Sequence, residues 1–154
     1  MVGISTLRPL GLLRSFAMEE KQERVGPYII CGVFYLWMFK NFHAGVVPAL
    51  FNAFALGVTI ALFFAFFINI FSKISAHMTG MGALTGMVGI LAFQWAGETL
   101  ALGPLMLSLN VVLGLAVLLS GLLGVWQLSR HTPAEAAQGY AAGLVAVLLA
   151  QAIL

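Results

Sequence analysis

Charged residues are scarce in this chain. Seven Lys or Arg and five Asp or Glu occur in 154 residues, so only 8% of the sequence is charged, whereas about a quarter is usual in soluble domains. A water-soluble globule of this length cannot cover its surface with so few charges. Cysteine is equally rare, since Cys31 stands alone, which excludes a disulfide scaffold. A net charge of +2 gives no basic surface of the kind that binds nucleic acid.

Hydrophobic residues, by contrast, make up 62% of the chain, and the mean hydropathy is +1.05. This composition excludes disorder and indicates a polytopic integral membrane protein. Several runs contain no Asp, Glu, Lys or Arg, and each is long enough to cross a hydrocarbon core of about 30 Å as a helix. These runs are Asn41 to Ser72, Ile74 to Gly97, Thr99 to Ser129 and Ala136 to Leu154, and a shorter apolar run, Pro27 to Phe39, precedes them.

We predict an all-α fold, a transmembrane helical bundle with about five membrane helices. The predicted helices cover about residues 26–40, 46–71, 76–95, 104–127 and 133–153. Strands are not expected, because the runs lack the alternation of a barrel strand and exceed its length of about ten residues. Residues 1–25 are expected to form an N-terminal interfacial segment, since Arg8 and Arg14 lie among Leu and Phe there. Residues 26–154 are expected to form the membrane domain.

Small residues lie on the third and fifth predicted helices. Gly82 and Gly86 form a G-x-x-x-G pattern, and Gly139 and Gly143 form another. In lipid, such residues let two helix backbones approach closely. We expect these two helices to pack against each other within one chain. The rarer alternative is a homo-oligomer that forms through either motif.

Successive membrane helices alternate in direction, which places the N-terminal segment and the loops before the third and fifth helices on one face. All basic residues except Lys40 fall on that face. So do His77, which opens the third helix, and His131, which opens the fifth. Glu135 follows His131 at i+4 and can therefore reach its imidazole. Helix N-termini suit phosphate, so the pattern indicates an anion site at this face.

The anion site has simpler alternatives. Basic residues and histidines normally lie in the loops of membrane proteins, so solvation alone is an alternative explanation for the position of each of these residues. His43, on the opposite face, is expected to be merely interfacial. A metal site is a weaker alternative, because two His and one Glu lack the closely spaced pair typical of zinc. We expect no metal and no cofactor.

Two short blocks resemble the type-2 phosphatidic acid phosphatase superfamily, membrane lipid phosphatases related to vanadium haloperoxidases. The blocks are K-I-S-A-H at Lys73–His77 and H-T-P-A-E at His131–Glu135. The chain is most similar to small bacterial members, over about residues 19–154. An E-R-x-x-P stretch ending at Pro27, and Asn69 and Phe71 before the first block, extend the likeness.

The resemblance implies a lipid phosphatase, a phosphoric monoester hydrolase that acts on a lipid or isoprenoid phosphate. By position, His131 is the nucleophile that forms a phospho-histidine, and Glu135 orients it. His77 is the general acid that protonates the leaving alkoxide. The phosphate ligands that the resemblance implies are Lys73, Ser75, Lys21, Arg24 and Arg130.

The chain departs from the family pattern at several positions. The arginine expected six residues before His131 is replaced by Val125, Gly124 stands where the family has serine, and Ala76 stands where it has glycine. Val125 and the short N-terminal segment motivate an alternative function, a catalytically impaired relative that binds anionic lipid or acts as a membrane assembly partner. A transporter or channel subunit ranks last, because the spans contain no ionisable residue deep in the membrane.

The resemblance also implies a location in the bacterial inner membrane. The expected partners are membrane lipids and an anionic lipid or isoprenoid phosphate substrate, with no nucleic acid. The positive-inside rule places the basic face in the cytoplasm, whereas the family's site normally faces the periplasm or lumen. Both orientations stay open, with the charge count slightly favouring the cytoplasm.

Overall fold

The computed structural model describes residues 25–102, 104–127 and 131–154. This part of the chain is built mainly of helices, and the predicted all-α fold is confirmed. Residues 1–24, most of the predicted interfacial segment, lie outside the described residues. The helices are α1 (Val25–Ala44), α2 (Ala49–Phe71), α3 (Ala76–Gln94), α4 (Leu109–Gln127) and α5 (Pro133–Ile153), and a hairpin of β1 (Thr99–Leu102) and β2 (Leu105–Ser108) lies between α3 and α4.

Four of the described helices, α2 to α5, are long and apolar enough to cross a membrane. The chain is therefore an integral membrane protein. Helix α1 is not among the four, although the sequence predicts about five membrane helices. It carries Lys40, Asn41 and His43 toward its end, and these polar side chains shorten its apolar stretch.

The hairpin is the largest difference from the sequence prediction. Residues from about 104 onward are predicted to be helical, but the antiparallel pair β1–β2 comes first and α4 begins only at Leu109. A short apolar run does not by itself distinguish a strand from a helix. Pro104 lies in the turn of the hairpin rather than opening a helix. Gly97, at a φ of 94°, turns the chain toward β1 in a conformation that favours glycine.

Helices α3 and α5 run parallel to each other in close contact. Near the start of α3, the carbonyl oxygen of Ser75 lies 2.7 Å from where a Cβ on Gly139 would be. Further along, a Cβ on Gly86 would lie 3.4 Å from Cβ of Val147. Both contacts advance in the same direction along the two helices. The N-termini of α3 and α5 therefore lie at the same end of the bundle.

The glycines in the middle of this contact leave no room for a side chain. A Cβ on Gly82 would collide with the carbonyl oxygen of Tyr140, and a Cβ on Gly143 would collide with that of Thr79. The prediction that the third and fifth helices pack together within one chain is confirmed. The small-residue faces of both helices are taken up by this contact.

The other helices pack antiparallel to their neighbours. The ring of Tyr28, near the start of α1, contacts that of Phe66, near the end of α2, with 6.5 Å between centroids. Met78, near the start of α3, approaches Gly124, near the end of α4. The starts of α1, α3 and α5 and the ends of α2 and α4 therefore share one end of the bundle, named here the His131 end. The loop after α1 and the hairpin lie at the opposite end, named the His43 end.

Candidate functional site

His131 and Glu135 contact each other at the start of α5. Nδ1 of His131 lies 3.1 Å from Oε2 of Glu135, and the two side chains are 10% and 23% exposed. Because Nδ1 faces the carboxylate, a neutral His131 carries its proton there and leaves a lone pair on Nε2. The contact predicted from the i, i+4 spacing is confirmed.

Thr132 fixes the carboxylate of Glu135 through the N-terminal cap of α5. Its Oγ1 accepts a hydrogen bond from the backbone N–H of Glu135, and its own N–H donates to Oε2 of Glu135, both at 3.3 Å. This reciprocal capping box satisfies two N–H groups that the helix leaves unpaired. Pro133 follows at the start of the helix, where its missing N–H costs little. The same carboxylate oxygen is thus held by the helix terminus and faces His131.

Lys73 lies half-buried in the loop between α2 and α3, at the same end of the bundle as Glu135. The residue before it, Ser72, donates a hydrogen bond from Oγ to Oε1 of Gln138 at 3.3 Å. This bond ties the loop to α5 one turn beyond Glu135. Sequence reasoning missed Ser72 and Gln138, because a bond across 66 residues depends on how the helices pack. Thr132, in contrast, has a local signal, the T-x-x-E spacing of a capping box.

His77 and Ser75 lie at the start of α3 with different surroundings. His77 is exposed in the first turn of the helix. Ser75 is fully buried, and its Oγ accepts a hydrogen bond from the backbone N–H of Met78 at 3.4 Å. Ser75 therefore caps α3, and its predicted role as a direct phosphate ligand stays a prediction.

Three predicted phosphate ligands, Lys21, Arg24 and Arg130, lie outside the described part of the chain. Val125, at the position where the resemblance implies an arginine, is 67% exposed on α4. Within residues 25–102, 104–127 and 131–154, no group of three or more His, Cys, Asp or Glu side chains is placed to hold a metal ion.

The backbone adds positive electrostatic character to the His131 end. The N-termini of the parallel helices α3 and α5 both lie there, and each brings partial positive charge, although the N–H groups of Met78 and Glu135 already donate to the capping side chains of Ser75 and Thr132. Lys73 adds a full positive charge. Of the residues that the structure describes, Glu135 is the one carboxylate at this end, and it is engaged by His131 and Thr132. The arrangement therefore favours an anion.

No family model matches the chain, and no curated protein or solved structure matches it. The resemblance to the phosphatase superfamily therefore rests on short motifs. The geometry supplies a histidine whose Nδ1 is held by a carboxylate, a nearby lysine and a second, exposed histidine at the start of the adjacent helix. Such a set can bind a phosphoryl group and attack it through a ring nitrogen.

Proposed function

We propose that the chain is a membrane-embedded phosphatase-like enzyme, a phosphoric monoester hydrolase that acts on a lipid or isoprenoid phosphate through a phospho-histidine on His131. The observation that carries this proposal is the 3.1 Å contact between Nδ1 of His131 and Oε2 of Glu135. A carboxylate in this position leaves Nε2 free to attack. It also stabilises the positive charge that the imidazole gains as it does so.

The proposed reaction has two steps. First, Nε2 of His131 bonds to phosphorus while the bond from phosphorus to the leaving alkoxide breaks, and His77 donates a proton to the alkoxide. Water then attacks the phospho-histidine with His77 accepting a proton, which releases inorganic phosphate and restores His131. Lys73 and the partial positive charge at the N-termini of α3 and α5 stabilise the charge on the phosphoryl oxygens.

The place of the site relative to the spans supports a lipid substrate. Helices α2, α3 and α5 are candidate spans. His131 and Glu135 lie at the start of α5, and Lys73 lies in the loop between α2 and α3. A phosphorylated lipid presents its head group at the boundary of the hydrocarbon core, which is where such spans begin and end. The proposed location is the bacterial inner membrane, as the resemblance to small bacterial members implies.

A second candidate function is supported by Val125. A phosphatase of the family type holds the phosphate with an arginine at this position, and losing a bidentate arginine lowers the rate by about 10³-fold or more. The chain is then a catalytically impaired relative that binds anionic lipid or assembles with other membrane proteins. In that case Lys73 still attracts the head group, and His131 is dispensable.

Release of inorganic phosphate by the purified protein in detergent separates the two functions. We expect the wild-type protein to release phosphate from phosphatidate or an isoprenyl diphosphate. His131→Ala should lower the rate by about 10³-fold or more. His43→Ala is the matched control, because it removes a histidine from the opposite end of the bundle, and it should leave the rate unchanged.

The contrary outcome is equally specific. If the wild-type protein releases no more phosphate than His131→Ala across a panel of such substrates, the hydrolase function is ruled out. Binding to vesicles that contain phosphatidate then tests the second function. Lys73→Glu should weaken that binding, and the control Lys40→Glu should not.

A further inference from the structure

A groove with a volume of about 460 Å³ lies between α2 and α5. It is named here the α2–α5 groove. Its walls are apolar apart from one polar pair, formed by Ser72 and Gln138, whose side chains are hydrogen-bonded to each other. The residues that line it include Phe64 and Ile68 of α2, Ser72 directly after α2, and Gln138, Ala141 and Val145 of α5.

The polar pair marks the end of the groove that is nearest the candidate site. Ser72 immediately precedes Lys73, and Gln138 follows Glu135 by one helical turn. From Gln138 to Val145 the helix advances about 10 Å at about 1.5 Å per residue. The groove therefore starts beside the proposed head-group site and runs along the spans α2 and α5 into the membrane.

We propose that the α2–α5 groove holds one hydrocarbon chain of a phosphate-bearing lipid whose head group lies at Lys73 and His131. This inference rests on the proposed function and specifies how its substrate is held. The anionic head group would lie at the positively charged site of Lys73 and His131, and the apolar chain attached to it would lie in the adjoining apolar groove. Ala141 and Ala142 keep the α5 side of the groove open, because their methyl side chains leave room for an acyl or isoprenoid chain.

Bilayer lipid also covers other apolar faces of the protein, such as Leu118 and Leu122, which are exposed on α4. In lipid, contact with a hydrocarbon chain alone gives no hydrophobic gain, because the chain leaves an equally apolar environment. What distinguishes the α2–α5 groove is Lys73, which follows Ser72 of its polar end directly in the chain. The head group of the occupant, rather than its chain, should therefore decide which lipid fills it.

Photolabelling of the full-length protein in phosphatidylcholine vesicles tests the proposal without requiring turnover. The probe is phosphatidate with a photoreactive group in one acyl chain. We expect it to label peptides from α2 and α5, and unlabelled phosphatidate should compete. Ala141→Trp fills the groove and should lower that labelling about tenfold. Val145→Trp provides a second variant, and Leu122→Trp on α4 is the control that should leave labelling unchanged.

Two results would overturn the proposal. One is equal labelling of α2 and α5 by phosphatidylcholine with the same photoreactive chain, which would mean that ordinary bilayer lipid fills the groove. The other is full labelling in folded Ala141→Trp and Val145→Trp. If the protein is labelled as expected but releases no phosphate, the proposed groove occupant stands and the proposed hydrolase function is wrong. If it releases phosphate but fails the labelling test, the hydrolase function stands and the proposed groove occupant is wrong.

Discussion

Both ends of the bundle carry histidine, a carboxylate and a lysine, with two histidines, His131 and His77, at one end and His43 at the other, and the ends differ in how these residues are arranged. At the His131 end, Nδ1 of His131 lies 3.1 Å from the carboxylate of Glu135, and Lys73 lies half-buried in the loop before α3. The histidine is only 10% exposed. His131 and Glu135 are therefore held together in a partly shielded place, with Lys73 at the same end of the bundle.

At the His43 end, the corresponding residues are exposed and separate. The ring of His43 lies against that of Phe39, with 5.7 Å between centroids, while Lys40 and Glu98 are exposed. Within the described part of the chain, no ion pair joins them. Solvation at the membrane boundary explains why the polar residues of the His43 end are there. It does not explain the partly buried pair of His131 and Glu135, and functional sites often contain such pairs.

Separating α3 from α5 should have the largest effect on the arrangement of the His131 end, because the contact between these helices brings their N-termini together. In Gly143→Ala the added Cβ would meet backbone atoms, the Thr79 carbonyl oxygen and, at 2.7 Å, the Ala83 nitrogen. We expect a loss of about 3 kcal/mol in the free energy of unfolding, measured by denaturation in detergent. The control is Gly80→Ala, where a Cβ would meet nothing within 4 Å. Equal stability of the two variants would contradict the close α3–α5 contact.

The next largest effect should come from neutralising the carboxylate beside His131. Glu135→Gln keeps the size of the side chain but removes the negative charge that stabilises the imidazolium. We expect the rate of phosphate release to fall about 10²- to 10⁴-fold while the helical circular dichroism spectrum is retained. Glu98→Gln makes the same change at the His43 end and should leave the rate unchanged. A Glu135→Gln protein with wild-type activity would remove the functional difference between the ends.

The smallest effect should come from the cap that holds Glu135. Thr132→Ala removes the hydroxyl that accepts from the Glu135 N–H and should cost about 1 kcal/mol of unfolding free energy. Thr85→Ala is the control, since the Thr85 hydroxyl bonds only the Met81 carbonyl within its own helix, and it should change stability by less than about 0.5 kcal/mol. Denaturation curves of both variants in the same detergent provide the comparison, and equal midpoints would argue against a stabilising cap.

Much of the fold follows from local features of the sequence. Charge-free runs predict the spans because crossing hydrocarbon excludes charges, and Gly82 and Gly143 predict a close helix contact because only glycine allows it. The hairpin was not predictable in this way. Residues 99–108 are mostly apolar, like the helix after them, and the pairing of Leu100 with Leu107 depends on the turn between the strands rather than on hydropathy.

The candidate site, like the fold, was predictable only where its contacts are local in sequence. The contact of His131 with Glu135 follows from i, i+4 spacing on one helix, so the sequence was sufficient to predict it. The bond between Ser72 and Gln138 joins two elements that only the packed bundle brings together. The cap that Ser75 forms at the start of α3 was not predicted either, and its expected contact with phosphate stays a prediction.

The central claim is that Nε2 of His131 attacks phosphorus, and acid-free quenching of the protein with ³²P-labelled phosphatidate tests it most directly. We predict an alkali-stable, acid-labile label on the peptide that contains His131, present in the wild type and in His43→Ala and absent from His131→Ala. Turnover without any label on that peptide, or a label that persists in His131→Ala, would contradict the account.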